Sequence, residues 1–217
     1  MHSPEPDVGL RRVEAARYAL LRRLTLAMRH RMVVHLQPIG LITQVIERRL
    51  RDTTPDMARI GQDMGKVNDF ARSAVHANLD VVSWLAPDAA QVASLDASIE
   101  ECIALLGSHF SFRGFQLRHE AGDHGHQVSQ AAIRALLPAV LFGLSDDAQA
   151  PAEIVVRAER EAPAVQVEVV QASGPDGDGA LPPYRPLGWD EIGALAVAEG
   201  AHIERSENGV RLRFRSA

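Results

Sequence analysis

A stripe of apolar side chains near the start of the chain constrains the fold more than any other feature of the sequence. Over residues 10–52 these side chains recur at steps of three and four, which places them on one face of a single long α-helix. Pro38 removes one backbone donor from this helix, so we expect a kink near Val34. The stripe consists of Leu21, Leu24, Met28, Met32, His35, Ile39, Ile42 and Ile46.

Two histidines of this helix lie five residues apart and face in different directions. His35 belongs to the stripe, and we expect it to be a packed histidine near the axis of a helical bundle rather than a chemical group. His30 lies two residues from both Met28 and Met32, so at about 100° per residue its side chain points roughly 160–200° away from theirs. The spacing therefore predicts that His30 is presented to solvent.

A second long helix follows after a short turn. Residues 52–56 end the first helix and supply an N-cap and a proline for the next one, which covers about residues 55–85. Two helices cannot bury both of their apolar stripes alone, so we expect the hairpin to pair with its own copy in a homodimeric four-helix bundle. The second stripe consists of Met57, Ile60, Met64, Val67, Ala71 and Ala74.

The second half of the chain mixes helices with short strands. Residues 121–127 and the Pro/Gly-rich residues 174–186 are predicted loops. The fold class is therefore α+β: residues 1–9 form a disordered tail, residues 10–86 a long antiparallel helical hairpin, and residues 87–217 an α/β sandwich. Helices are predicted at about residues 95–112, 129–144 and 190–199, and strands at residues 116–119, 153–158, 165–170, 202–205 and 210–215.

Charge and composition exclude several classes of function. The formal net charge of −5 argues against nucleic acid as the main partner. Arginine pairs such as Arg22-Arg23 are interpreted as the solvated face of a helix. Cys102 is the single cysteine, which excludes an intramolecular disulfide and a multi-cysteine metal site. The sequence shows no signal pattern and no run long enough to span a bilayer, so we expect a cytoplasmic protein without a membrane partner.

The order of these parts resembles the cytoplasmic core of a sensor histidine kinase, in which a dimerisation and histidine-phosphotransfer hairpin precedes an ATP-binding α/β sandwich. The resemblance covers residues 10–217. Its most specific part is residues 29–37, RHRMVVHLQ, which looks like the R-H-D-x-x-N-H-L-Q run of sporulation-phosphotransferase-type and related sensor kinases. The resemblance implies that His30 is the phosphoacceptor; without it, His30 is an ordinary exposed histidine in an arginine-rich helix.

Two positions beside His30 depart from that run. The family's acid after the histidine is Arg31 here, and its asparagine three residues later is Val34. In the family the acid is thought to accept the proton of the histidine when the kinase transfers phosphate, and the amide helps to position water for dephosphorylation. Neither role has a matching side chain in this sequence.

The second half departs from the family at each nucleotide motif. Residues 137–148 are similar to the helix whose two asparagines, four residues apart, hold phosphates and magnesium, and Gly143 and Asp147 stand at these positions. Asp147 could still hold magnesium, whereas glycine offers no side chain. Gln171 or Ala172 replaces the aspartate that hydrogen-bonds adenine, and the phosphate loop keeps only two isolated glycines. We therefore expect that ATP binding is lost.

Other polar clusters have simpler interpretations. His124 and His126, with Asp123, lie in a glycine-containing loop without helical spacing, so they are interpreted as solvated loop residues rather than metal ligands. Asp146-Asp147 is either a relic of the magnesium position or a pair that ends a helix. The two tryptophans are expected to be packing residues.

These features predict a phosphorelay histidine phosphotransfer protein that carries phosphate on His30 and has no ATP-dependent autokinase activity. Its partner would be the receiver domain of a response regulator, whose own magnesium and acids supply most of the chemistry, so the chain needs no cofactor. The alternative is a pseudokinase-like adaptor that binds a regulator or kinase without phosphoryl transfer, which Arg31 favours. The partner is expected to dock on the helical surface around His30, which includes Ala27, Arg31, Val33, Val34 and Gln37.

Overall fold

Five helices and seven strands make up the computed structural model, which describes residues 8–86, 88, 90–120, 122, 124–171 and 185–216. The fold is α+β, as predicted from the sequence. In chain order the elements are α1 (Val8–Leu50), α2 (Met57–Leu85), β1 (Val92–Ser94), α3 (Leu95–Phe112), β2 (Phe115–Glu120), β3 (Gln127–Ser129), α4 (Gln130–Asp147), β4 (Ala152–Ala158), β5 (Ala164–Gln171), α5 (Trp189–Ala198), β6 (His202–Arg205) and β7 (Gly209–Arg213).

The first two helices form the predicted hairpin. α1 continues through Pro38 without ending, and α2 begins after Asp56, whose side chain accepts a hydrogen bond from the backbone N–H of Arg59. Two ion pairs, Arg31–Asp80 and Arg49–Asp63, join the helices. No helix among the described residues combines the length and apolar character that crossing a membrane requires.

The chain divides into two compact units, and one boundary between them lies within α1. Residues Leu26–Ala86 form one unit, here called the hairpin unit, and the described residues up to Thr25 pack with those after residue 87 in a second unit, the sandwich unit. We call residues 8–25 of α1 the arm. This division differs from the sequence-based limits of 10–86 and 87–217, because the buried face of the arm packs within the sandwich unit.

A five-stranded sheet in the order β2-β4-β5-β7-β6 forms the centre of the sandwich unit. β2 and β4 are parallel and the other neighbours are antiparallel. α3 packs on β2, and α4 packs on β5 and β7. Along the strands, buried apolar side chains alternate with charged side chains, which form ion pairs such as Arg118–Glu153. The sheet therefore has an apolar side and a charged side. The buried side chains include Ile133, Leu137, Leu141, Ile154, Val165, Val167, Val210 and Leu212.

The structure adds one feature that the sequence does not indicate, a small antiparallel sheet of β1 and β3. Each strand has three residues, which is too short to show a period of two, and each ends in a serine that caps the following helix. Ser94 accepts a hydrogen bond from the N–H of Ala97, and Ser129 from the N–H of Ala132. The predicted tail and the predicted Pro/Gly loop fall largely on residues 1–7 and 172–184, outside the described residues.

A buried ion pair fastens the arm to the sandwich unit. Arg23 is 2% exposed, and its guanidinium donates to both carboxylate oxygens of Asp146, at 2.8 Å for Nη2 to Oδ1. The same guanidinium lies 4.2 Å from the ring centroid of Phe142. Arg113, which follows α3, donates to Asp146 at 3.0 Å and to the hydroxyl of Ser145 at 2.9 Å. Three helix segments therefore meet at one carboxylate.

The interpretation of Arg22-Arg23 as a solvated pair is wrong for the second residue. Arg22 is exposed, but Arg23 lies on the same face as Ala16 and Leu20, which are both buried. Steps of four and three residues from Ala16 lead through Leu20 to Arg23, so helical spacing places the guanidinium against the sandwich unit.

Removing the guanidinium of Arg23 is expected to destabilise the chain. Arg23→Ala should lower the free energy of unfolding by about 3 kcal/mol, at the low end for broken buried pairs because Arg113 still faces Asp146. The neighbouring variant Arg22→Ala carries the same charge change at an exposed site and should stay within about 0.5 kcal/mol of the wild type. Urea denaturation followed by circular dichroism measures both, and equal effects would contradict the anchoring role.

Candidate functional site

His30 is exposed on α1 in the hairpin unit. Met28 is buried and Met32 is half-buried, so both methionines lie on the covered face while His30, two residues from each, points away from it. His35 is half-buried on the predicted stripe. Of the two histidines, His30 is the more exposed.

The surface beside His30 is apolar to an unusual degree for an exposed helix. Val33 is 45% exposed and Val34 is 48% exposed, and the next turn adds the exposed side chain of Gln37. Adjacent exposed valines indicate a surface that something covers, because isolated soluble helices place polar residues at such positions.

Ala27 is a correction to the predicted docking surface. Its side chain is 5% exposed, so a partner cannot touch it in this conformation. Ala27 lies three residues after Leu24, which is also buried, and therefore continues the buried face of α1. The accessible part of the predicted surface consists of His30, Val33, Val34, Gln37 and part of Arg31.

Arg31 is engaged across the hairpin. Its Nη2 donates to Oδ2 of Asp80 at 2.9 Å, and the side chains are 33% and 47% exposed. The position that carries an acid in the resembling kinases thus carries a cation that is tied to a carboxylate of α2.

In the sandwich unit, α5 covers the face of α4 that carries Gly143 and Asp147. These two residues are four apart and share that face. A Cβ placed on Gly143 would lie 2.8 Å from Cδ1 of Ile192 and 3.1 Å from Cζ2 of Trp189, so these side chains pack directly against the glycine backbone. The missing side chain of Gly143 is therefore the condition for the close approach of α5.

Asp147 is occupied by groups of the chain itself. Nε1 of Trp189 donates to Oδ2 of Asp147 at 2.7 Å, and Nη2 of Arg205 lies 3.2 Å from the same oxygen. The guanidinium of Arg205 also lies 4.0 Å from the Trp189 ring centroid, in cation–π geometry. The side chains of Arg205 and Asp147 are 48% and 54% exposed, so this contact lies at the surface of the sandwich unit.

The N-terminus of α5 is capped by a side chain of the same helix. Oε2 of Glu191 accepts a hydrogen bond from the backbone N–H of Gly188 at 3.0 Å, and Arg185 holds both Glu191 oxygens at 2.7 and 2.8 Å. The hydrogen bonds from Arg185, followed by the one from Gly188, lower the pKa of Glu191. The backbone N–H of Gly188 at this helix end is therefore already bonded to a carboxylate, and Arg185 pairs the charge of that carboxylate.

The remaining sequence candidates do not form a reactive centre. Nε2 of His126 lies 3.0 Å from the backbone oxygen of Arg160, and the backbone N–H of His124 donates to Asp96. Asp123 lies outside the described residues. Within the described part of the chain, no three His, Cys, Asp or Glu side chains group closely enough to hold a metal ion.

Burial also governs two titratable side chains that the sequence does not single out. Burial raises the pKa of the Cys102 thiol well above its usual range, which keeps it unreactive. Burial, and then the charges of Arg113 and Arg23, lower the pKa of His109, whose ring meets that of Phe142 edge to face at 5.7 Å. Both residues belong to the packing of α3 against α4.

No protein-family description matches the sequence, and no curated protein matches it. Among solved structures, the chain is similar to the Acinetobacter baumannii histidine kinase AdeS, with 12% identity over 81% of this chain and 95% of that chain and a TM-score of 0.42. It is also similar to a histidine kinase from Burkholderia phymatum STM815, with 13% identity over 98% of each chain and a TM-score of 0.39. A bacterial phosphotransferase matches with 13% identity over 89% of this chain and 94% of that chain, at a TM-score of 0.36.

Adding one methyl group at Gly143 is expected to destabilise the sandwich unit. Gly143→Ala should lower the free energy of unfolding by up to about 2 kcal/mol. Ile192 and Trp189 must move to admit the Cβ, and this overpacking cost of about 1–3 kcal/mol exceeds the gain of up to about 1 kcal/mol from helix propensity. Gly107→Ala in α3 is the matched control: nothing lies within 4 Å of its Cβ position, and helix propensity should stabilise it by up to about 1 kcal/mol. Thermal melts with Trp fluorescence measure both variants, and effects of the same sign would contradict the packing described.

Proposed function

We propose that this chain is a cytoplasmic histidine phosphotransfer protein of two-component signalling that carries a phosphoryl group on His30 to or from the aspartate of a receiver domain. The observation that carries the proposal is the placement of an exposed histidine beside two exposed valines on a helical hairpin. A receiver has to bring its aspartate within bonding distance of the imidazole, so it must lie against this surface. The surface offers one nucleophile and an apolar contact area around it.

The described residues on the face of α4 and at the start of α5 do not fit the phosphates of ATP. A phosphate on the face of α4 would meet Trp189 and Ile192, whose nearest atoms lie 3.1 and 2.8 Å from the position of a Cβ on Gly143. Asp147 already accepts hydrogen bonds from Trp189 and Arg205, and Glu191 holds the backbone N–H of Gly188 with a negative charge. These contacts support a chain that receives phosphate from a partner and has no autokinase activity of its own. Magnesium would be supplied by the receiver domain.

A homodimer is part of the proposal. In the hairpin unit, large apolar side chains remain exposed along both helices, and burying them against a second hairpin would gain roughly 25 cal/mol per Å². A four-helix bundle of two copies provides that burial without any further partner. The exposed apolar side chains include Leu41, Val45, Met57, Met64, Val75, Leu79 and Val82.

An adaptor without phosphoryl transfer is the second candidate. Arg31 stands where the resembling kinases have an acid, and the exposed Val33 and Val34 would serve a docking partner whether or not phosphate moves. The two candidates share a docking surface and differ in the chemistry of His30.

Phosphorylation of His30 by a receiver separates the two candidates. When the chain is incubated with a panel of phosphorylated receiver domains, we expect acid-labile phosphate on the wild type and none on His30→Ala. His76→Ala is the matched control, because His76 is an exposed histidine on α2 of the same unit, and this variant should be labelled like the wild type. A stable complex without label on the wild type would establish the adaptor instead.

Calorimetry with Mg-ATP tests the proposed loss of nucleotide binding. We expect no binding of Mg-ATP with a dissociation constant in the micromolar range, because the groups that would meet phosphates are already packed or hydrogen-bonded within the chain. Labelling of the chain by a phosphorylated receiver domain should likewise proceed when ATP is absent. A micromolar dissociation constant would contradict the proposed loss of nucleotide binding and would reopen autokinase activity.

A further inference from the structure

Arg31, the residue after His30, forms an ion pair with Asp80 of α2. Arg31 donates one hydrogen bond to Asp80 at 2.9 Å, although a guanidinium carries five N–H donors in a rigid fork. Both side chains are partly open to solvent, so the pair is not locked by burial. A competing anion close to His30 can therefore draw Arg31 away from Asp80 at small cost.

Phosphorylation of His30 would create such an anion. A phosphoryl group carries roughly 1.5 to 2 negative charges near pH 7 and three strong acceptor oxygens, and guanidinium groups bind such oxygens in preference to a single carboxylate oxygen. Arg31 follows His30 directly, so the two side chains start from neighbouring Cα atoms. These Cα atoms are about 3.8 Å apart, a separation well below the roughly 10 Å over which charges interact at 0.1 M salt.

We propose that Arg31 and Asp80 form a charge switch for His30: Arg31 stabilises the phosphorylated histidine, and Asp80 competes for Arg31 and favours the unphosphorylated one. The inference rests on the proposed function, since it assigns to the same site a preference for holding phosphate. It explains a cation where the resembling kinases place an acid. Without a proton-accepting side chain, this site stores a phosphoryl group better than it drives attack on ATP.

The exchange of a phosphoryl group with N-phosphoimidazole isolates this effect from receiver docking. In that reaction the P–N bond of N-phosphoimidazole breaks and a P–N bond to a ring nitrogen of His30 forms. The electron pair of the broken bond returns to the leaving imidazole, which takes up the proton that His30 gives up. Because equivalent bonds break and form, the equilibrium constant reports mainly the electrostatic surroundings of His30.

The decisive measurement is this equilibrium constant for two variants of one ion pair, by mass spectrometry of the peptide containing His30. Arg31→Gln should lower the constant about two- to fivefold, and Asp80→Asn should raise it by a similar factor, as expected for exposed ion pairs. Both shifts should shrink in 1 M salt, where the screening length falls to about 3 Å. Arg48→Gln is the matched control, an exposed arginine 18 residues along α1, and should leave the constant unchanged.

A purely structural role of the pair predicts a different pattern. Both variants break the same hydrogen bond. If the ion pair only stabilised the hairpin, both variants would shift the equilibrium constant in the same direction and would also change the melting temperature. Shifts of the same sign, or no shift, would overturn the switch. Should either variant fail to fold, the equilibrium constants of the wild type and of Arg31→Lys are measured at low and high salt instead. A constant that does not change with salt overturns the proposal. Opposite shifts without any transfer from receivers would instead remove the proposed function and leave the switch intact.

Discussion

Two adjacent carboxylates at the C-terminal end of α4 join this helix to four other segments of the sandwich unit. A helix end of this kind carries partial negative charge, so Asp146 and Asp147 are unfavourable there unless cations surround them. Asp146 is bound by Arg23 of the arm and by Arg113 after α3, and Asp147 is bound by Arg205 of β6 as well as by the tryptophan that begins α5. Four segments distant in sequence are thereby tied to one helix end.

The same arrangement determines what the face of α4 can do. Because Gly143 has no side chain, Trp189 reaches the helix backbone and places its indole N–H on Asp147. The side chains that would have to turn outward to accept a nucleotide are the ones that stabilise the contact between α4 and α5. The proposed loss of ATP binding is therefore a consequence of core packing as well as of missing ligands, and an asparagine restored at position 143 would collide with that packing.

The sequence predicts the elements well and the long-range charges poorly. Helical spacing is local, so the two long helices, the exposure of His30 and the half-burial of His35 follow from positions three and four residues apart. Helical spacing puts Arg23 on the face of Ala16 and Leu20 and puts Ala27 three residues after Leu24. It does not say which face of α1 is covered, so the burial of Arg23 and Ala27 appears only in the folded chain. The residues that bind Asp146 and Asp147 all lie far from them in sequence. The roles of the arginine partners therefore appear only when the chain is folded. The three-residue strands β1 and β3 are too short to leave a periodic signal.

Under the proposed function, the departures at His30 and on α4 remove parts of one and the same reaction. A kinase that phosphorylates its own histidine needs a nucleotide site and, in the resembling family, an acid beside the histidine to accept its proton. An acyl phosphate on a receiver is a more reactive donor than ATP because a carboxylate leaves readily, so transfer from it depends less on a neighbouring base. Arg31 is unsuited to accept a proton, since a guanidinium stays charged, yet it is well suited to a phosphoryl group that has already arrived. The chemistry left to this surface is therefore the holding and passing on of phosphate, with its balance set by how strongly Asp80 keeps Arg31 occupied.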